Sequence, residues 1–405
     1  MNIHTLSVHA GERLAATQPE GGAASFMPVV TPVYHSVGYT YEETADLDAV
    51  FAGTSMNPVY TRYGNPTVAA LEAALAALEG GEAALAYGSG MAAIHAALLG
   101  AGARAGTTVV AAHDVYGATY ALLARLLATQ GVSVRFVDPA DHAAVAAALA
   151  DVTATGAPPV ALLVETISNP LLKVADLPRL AELAHAHRAA FIVDNTFATP
   201  VLCRPLELGA DYVVHSATKY LGGHGDVLGG AVITSAARRK ELYEINKLLG
   251  ANLGPQDAWL VHRGLKTLPL RVMRQCANAT EIAGWLAGHR RVAGVNYPGL
   301  AAHPQHDLAT QLLGGSYGAM VSFDLAGAGQ PEVFRFMEAL RLIQPATTLG
   351  DVYTLTLYPA MSSHRALDAE TRARIGIGDG LVRLSIGIED AGDIIADLEQ
   401  ALAQI

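Results

Sequence analysis

The stretch Asp211-Tyr212-Val213-Val214-His215-Ser216-Ala217-Thr218-Lys219-Tyr220-Leu221-Gly222-Gly223-His224-Gly225-Asp226 changes character twice. It begins as the apolar run of a buried strand, Tyr212-Val213-Val214, and breaks into small polar residues. It then sets one lysine beside a glycine-rich loop. Only five of the 26 Lys and Arg residues are lysines: Lys173, Lys219, Lys240, Lys247 and Lys266. A lysine at a strand end, with hydroxyls one and three positions before it, is a candidate amine nucleophile with a phosphate cradle beside it. Taken alone, the same pattern also suits a surface lysine in a loop, so the rest of the chain has to decide.

On both sides of this stretch, short apolar runs alternate with helix-like segments. The runs fall at 84–87, 108–111, 132–137, 160–164, 191–193, 212–214 and 231–233, and the helical segments near 91–100, 117–130, 141–150 and 176–188. Asn65-Pro66-Thr67 starts an earlier helix, Leu71, Leu75 and Leu78 follow at helical spacing, and Gly80-Gly81 stops it. This alternation predicts an α/β fold with a mostly parallel, seven-stranded sheet. Beyond about 260 the texture changes. Helices are expected near 256–290, 305–313 and 331–340, strands at 318–323, 354–357 and 381–385, and a last helix near 391–403. These form a smaller C-terminal α/β domain. Residues 1–64 carry Gly, Pro and scattered aromatics with little periodicity, which is unusual inside one compact domain. They read as an arm lying on another surface, such as a neighbouring subunit. The expected division is 1–64, 65–260 and 261–405.

Composition narrows the function. A chain of 405 residues that is 51% hydrophobic can bury a large core, with surface left for subunit contacts. A net charge of −11 without any basic run argues against a nucleic-acid partner. Met1-Asn2-Ile3-His4-Thr5 lacks the basic start of a secretory signal. No window is long and apolar enough for a membrane span. Cys203 and Cys276 do not make a disulfide framework. The fifteen histidines form no recognisable metal motif. A cytoplasmic enzyme without a metal is expected.

Ligands of parallel sheets bind beyond the strand C-terminal ends, and several ends carry chemistry. Tyr87-Gly88-Ser89-Gly90-Met91 leads into a helix, and free N–H groups at a helix start can hold phosphate. Such turns also arise for geometric reasons. The loop is neither a Walker loop nor a GxSxG elbow, and Gly100, Gly102 and Gly106 lead into a strand, which speaks against a dinucleotide-binding dehydrogenase. Asp194 ends a purely apolar strand, so its carboxylate needs a cationic partner. That partner is either a structural group or a protonated pyridine nitrogen. Tyr116 could stack on a flat cofactor or simply pack. Arg383, within the run Leu381-Val382-Arg383-Leu384-Ser385, could clamp a carboxylate or form an ion pair.

Together these blocks resemble one family, the pyridoxal-phosphate-dependent enzymes of cysteine and methionine metabolism (transsulfuration). The resemblance covers nearly the whole chain. Its blocks are Tyr60-Thr61-Arg62-Tyr63-Gly64-Asn65-Pro66-Thr67, Gly88-Ser89-Gly90-Met91-Ala92-Ala93, Asp114-Val115-Tyr116-Gly117 and Glu165-Thr166-Ile167-Ser168-Asn169-Pro170. They continue through Val193-Asp194-Asn195-Thr196-Phe197, His215-Ser216-Ala217-Thr218-Lys219-Tyr220 and Leu381-Val382-Arg383-Leu384-Ser385-Ile386-Gly387-Ile388-Glu389. The resemblance implies a fold type I, aspartate-aminotransferase-like transferase that uses pyridoxal 5'-phosphate. Lys219 would hold the cofactor covalently and move protons between substrate carbons. Asp194 would pair with the pyridinium. Gly90, Met91, Ser216 and Thr218 would bind the phosphate, joined by Tyr60 and Arg62 from a neighbouring subunit. Tyr116 would stack on the ring and act as acid or base at the γ-leaving group. Asn169 would contact the ring hydroxyl. Arg383 would take the substrate carboxylate, with Thr348, Asn169 and Tyr60 completing the substrate contacts. The family implies catalytic dimers paired into a homotetramer.

The implied chemistry is γ-elimination or γ-replacement on a sulfur-containing or O-acylated homoserine-type amino acid. Cystathionine-handling members carry an acid where this chain has Val59, an arginine where it has Ala121, and an acid where it has Thr347. Thr348 stands in place of the usual serine. A pocket without those charges suits a methyl thioether or a small thiol better than a zwitterion. This favours a methionine γ-lyase-like carbon–sulfur lyase. The cysteine typical of such lyases is Ala118 here, which keeps O-acylhomoserine sulfhydrylase and the cystathionine γ-synthase and γ-lyase activities open. A non-catalytic binding protein on the same scaffold is the remote alternative, and the presence of Lys219 and Asp194 speaks against it.

Overall fold

In the computed structural model, seven strands build the larger sheet: β1 (Ala83–Tyr87), β2 (Thr108–Ala112), β3 (Ser133–Val137), β4 (Pro159–Glu165), β5 (Ala190–Asp194), β6 (Tyr212–His215) and β7 (Gly230–Thr234). The structure describes residues 1–12, 28–55, 57–151, 158–362, 365, 372 and 376–405. Strand order is β1-β7-β6-β5-β4-β2-β3. β7 is antiparallel to both its neighbours, and every other pairing is parallel. Six strands therefore run the same way, and their C-terminal ends lie along one edge.

Both faces of this sheet are covered, and that is why its strands read as continuous apolar runs. Along β6, Val213 faces one core with Phe191 and Val193, while Tyr212 and Val214 face the other with Ile192. Helix α3 (Pro66–Glu79) starts where expected. Asn65 caps it by accepting from the Thr67 N–H, and Gly80 ends it at φ 71°. The segment expected as one helix near 117–130 is a short α-helix, Gly117–Ala121, followed by a π-helical stretch, Leu122–Leu127.

The second sheet has five strands in the order β10-β11-β12-β9-β8, with β8 at Val292–Asn296, β9 at Met320–Leu325, β10 at Gln344–Pro345, β11 at Leu355–Leu357 and β12 at Leu381–Ser385. Its own core includes Val321, Phe323, Val382, Leu384 and Ile394. The helical region expected near 256–290 holds two helices, Pro255–Leu265 and Leu268–Ala287. Pro269 lies in the first turn of the second, where its missing N–H costs nothing.

The first 64 residues are less featureless than their sequence suggests. They hold helices Ile3–His9 and Thr44–Phe51, while 13–27 and 56 lie outside the described residues. Part of this segment packs on its own chain. The Tyr34 N–H donates to the Thr67 hydroxyl at 2.9 Å, and Thr67 donates to the Pro32 carbonyl at 2.9 Å.

Candidate active site

At the C-terminal edge of the parallel strands, between the two sheets, lies a cavity of about 480 Å³. Helix α4 (Gly90–Gly100) opens onto it. The Ser89 hydroxyl caps this helix by accepting from the Ala92 N–H at 3.1 Å. Gly90 has no room for a side chain, because a Cβ there would stand 2.8 Å from Ser216 Cβ and 3.0 Å from its Cα. The glycine thus lets the loop after β6 close against the helix start. This brings Gly90, Met91, Ser216 and Thr218 to one end of the cavity. Unbonded N–H groups, a helix dipole and two hydroxyls make a fitting seat for a phosphate. The Thr218 hydroxyl already donates to the Gly229 carbonyl at 3.2 Å and accepts from its N–H at 3.0 Å.

Lys219 reaches into the same space and donates to the Thr348 hydroxyl at 3.0 Å. Burial, then the nearby Arg383 charge, lowers its pKa and raises the fraction of neutral, nucleophilic amine. Asp194 ends β5 beside it, its Cα paired with Glu165 on β4 and with Val214 on β6. Burial raises the Asp194 pKa. Opposing this, Thr196 donates to Oδ1 from its hydroxyl at 2.5 Å and from its backbone at 3.0 Å. The same hydroxyl accepts from the Ser216 N–H at 2.9 Å, so Thr196 ties the carboxylate to the loop that carries Lys219.

Arg383 sits in the middle strand of the second sheet, between β11 and β9, and is 3% exposed. Its guanidinium donates to Asn169 Oδ1 at 3.1 Å and to the Thr348 carbonyl at 3.2 Å. Its Nε is buried without a partner, and burial pulls its pKa down to about 10. A buried cation lining the cavity with one donor still unpartnered fits an incoming carboxylate. Tyr116 also lines the cavity and is 43% exposed.

The cavity thus gathers Lys219, Asp194, Tyr116, Asn169, Arg383, Gly90, Met91, Ser216 and Thr218, with Thr348 bonded to Lys219 at its edge. Tyr60 and Arg62 are not among its lining residues. The Arg62 guanidinium lies over the Tyr63 ring at 4.9 Å and donates to the Lys247 carbonyl. Of the three positions marked for the distal pocket, Thr347 lines the cavity. Val59 borders a separate groove near the arm, and Ala121 ends the short helix after Tyr116. Sequence reasoning gave no role to Thr196 or Glu165. For Glu165 a signal was available: like Asp194, it is an acid closing an apolar strand.

The sequence matches the family model of the Cys/Met metabolism PLP-dependent enzymes over residues 4–403. The chain belongs to that family. It is 44% identical over 390 residues to the L-methionine gamma-lyase of Pseudomonas putida, covering 95% of this chain and 94% of that one. It is 40% identical over 401 residues to the O-succinylhomoserine sulfhydrylase of Pseudomonas aeruginosa, covering 99% and 95%. The fold matches the crystal structure of a cystathionine gamma synthase from Xanthomonas oryzae pv. oryzae with a TM-score of 0.90 at 39% identity, covering 100% and 98%. This protein is accordingly a pyridoxal-phosphate-dependent enzyme, a lyase or transsulfuration enzyme of the α/β class expected from its strand pattern. Among the described residues no helix is long and apolar enough to cross a membrane, and no group of three or more His, Cys, Asp or Glu is placed to hold a metal ion.

Proposed function

We propose that the enzyme is a methionine γ-lyase-like carbon–sulfur lyase, converting L-methionine and water to 2-oxobutyrate, ammonia and methanethiol. One observation carries this reading. Among the described residues, the charged side chains lining the cavity are Glu165, Asp194, Lys219 and Arg383, and all belong to the end that would meet the cofactor and the amino-acid head group. The remaining wall includes Ile94, Leu228, Leu349 and Leu357. An uncharged wall accepts a methyl thioether and penalises a second zwitterion.

Bound pyridoxal 5'-phosphate supplies an electron sink that makes protons on the substrate's α- and β-carbons removable. Gly90, Met91, Ser216 and Thr218 would hold its phosphate, Asp194 its ring nitrogen and Asn169 its ring hydroxyl. Tyr116 would cover the ring face. Lys219 would hold the cofactor covalently until substrate arrives. Its freed amine would then carry protons between substrate carbons, helped by a pKa below that of an exposed lysine. Arg383, with Thr348 and Asn169 beside it, would orient the substrate carboxylate. Tyr116 would protonate the departing sulfur. Tyr60 and Arg62 would complete the phosphate site of a partner subunit, in keeping with the half-exposed Tyr60 ring and with the absence of both from their own chain's cavity lining. The division into 1–64, 65–260 and 261–405, a homotetramer of paired catalytic dimers, a cytoplasmic location and a small-molecule amino-acid substrate belong to the same proposal.

A second reading, γ-replacement by a small thiol on an O-acylhomoserine, draws on Ala118, which stands where methionine γ-lyases carry a cysteine. The test is incubation with L-methionine alone and, separately, with O-acylhomoserines plus sulfide. Release of 2-oxobutyrate and methanethiol is expected from the first. Their absence, with homocysteine formed in the second, would overturn the lyase reading. Lys219→Ala should lose turnover together with the absorbance of the covalently held cofactor; full activity in that variant would refute its role.

A further inference from the structure

One carboxyl group in the cavity wall is left without a role. Glu165 ends β4 with its Cα in register with Asp194 on β5. It lines both the main cavity and a small polar pocket behind it, bounded by Asp114, Ser168 and Lys173. Its Oε1 accepts from the Tyr116 backbone N–H at 2.6 Å. Tyr116 follows β2 and Glu165 ends β4, so this side chain ties the loop after β2 to the neighbouring strand.

The geometry points to Glu165 as a positioning residue that ties the Tyr116 loop to β4 and so fixes where Tyr116 meets the cofactor ring. This rests on the ring contacts proposed for Tyr116 and Asp194. A hydrogen bond to a backbone donor holds a loop better than side-chain packing alone, because it fixes distance and direction together.

The charges around Glu165 agree with this role. The charges acting on it are the carboxylates of Asp194 and Asp114, and the small pocket is also lined by Lys173 and Asp138, which pair with each other at 3.8 Å. Two neighbouring carboxylates do not both ionise readily. Burial, then the Asp194 charge, holds the Glu165 carboxyl well above the usual carboxylate range. A neutral Glu165 still accepts from the Tyr116 N–H and leaves Asp194 to carry the negative charge facing a ring nitrogen. A glutamine would do the same, and an aspartate would not, since its carboxyl group falls one methylene short.

Glu165→Gln and Glu165→Asp test the assignment. Each cofactor-free variant is titrated with pyridoxal 5'-phosphate, the induced circular dichroism of the bound cofactor is recorded, and kcat and KM are measured with the working substrate. Glu165→Gln should keep the parent affinity within about 3-fold and the parent dichroism, because a neutral acceptor is retained. Glu165→Asp should bind the cofactor about 10-fold more weakly, the Tyr116 backbone hydrogen bond being lost, with altered dichroism and a fall in kcat larger than the change in KM. An Asp variant equal to the parent, or a Gln variant as impaired as the Asp variant, would overturn the assignment. Thermal melting separates unfolding from loss of bracing. If Glu165→Asp does not fold, Glu165→Gln decides alone: parent-like dichroism supports the brace, and lost dichroism overturns it. Affinity and dichroism are read without substrate, so rejection of methionine would refute the proposed reaction and leave this test standing.

Discussion

Replacing Thr196 by valine keeps the side-chain shape and removes one hydroxyl. That hydroxyl donates to Asp194 Oδ1 at 2.5 Å and accepts from the Ser216 N–H at 2.9 Å. The first bond stabilises the carboxylate over the carboxylic acid, and burial works against it. A hydrogen bond to a charged group contributes about 1.5–3 kcal/mol, and about 1.4 kcal/mol corresponds to one pH unit. Because Asp194 keeps the Thr196 backbone donor, the lower end applies, about 1.5 kcal/mol or roughly 10-fold in binding at low pH, and the Asp194 pKa rises. The sign follows from the chemistry. Cofactor affinity falls as pH drops through the Asp194 pKa, since a neutral carboxyl cannot pair with a ring cation. A higher pKa makes that fall begin at higher pH. The assay is titration of cofactor-free enzyme with pyridoxal 5'-phosphate across pH. The cofactor's own ionisations are common to both proteins and cancel in the comparison. In Thr196→Val the midpoint of the acidic limb should move to higher pH, with roughly 10-fold weaker binding below the parent midpoint. A further drop independent of pH is expected from the orphaned Ser216 N–H. Thr196→Ser keeps the donor and should restore the parent midpoint. An unmoved midpoint in Thr196→Val would refute the claim that this hydroxyl sets the charge state of Asp194.

Three further substitutions probe separate parts of the site. Gly90→Ala would push a Cβ to 2.8 Å from Ser216; the displaced loop should cost about 1–3 kcal/mol of stability and weaken cofactor binding, seen in a melting curve and a cofactor titration, whereas an unchanged melt and affinity would mean the loop yields freely. Arg383→Lys keeps the charge but loses the fork and its bonds to Asn169 and Thr348; kcat/KM should fall by about 100-fold, a loss of roughly 3 kcal/mol, mostly through KM. A change confined to kcat would place Arg383 away from the substrate carboxylate. Thr347→Glu puts a negative charge into the uncharged wall. The ratio of kcat/KM for cystathionine over methionine should rise about 10-fold, and a ratio that does not move would show that this wall does not set the choice.

The larger sheet was legible because both its faces are covered, which turns each strand into an unbroken apolar run with helices between. The reversal of β7 was not, since Ala231-Val232-Ile233 has the composition of its parallel neighbours and direction leaves no mark on composition. β8 escaped notice for a different reason: it lies at the edge of the second sheet with Ala293 and Gly294 exposed, so neither face demands a run of apolar residues. The π-helical stretch after Tyr116 is hidden for the same kind of reason, because Leu122–Leu127 carries a spacing that an α-helix would also accept. The site was legible where one residue breaks the pattern around it. Asp194 closes a buried strand, and Lys219 lies in the turn just after one, each with a charge that needs explaining. Glu165 breaks its strand in the same way, yet its part depends on register, which sets it beside Asp194 and under the Tyr116 N–H. Thr196 is less visible still, because a threonine two residues after an aspartate is ordinary turn chemistry until the loop carrying Ser216 is folded against it. A sequence can therefore name the groups that carry charge in such a site, while the groups that hold those charges in place emerge only when strand pairing brings distant loops together.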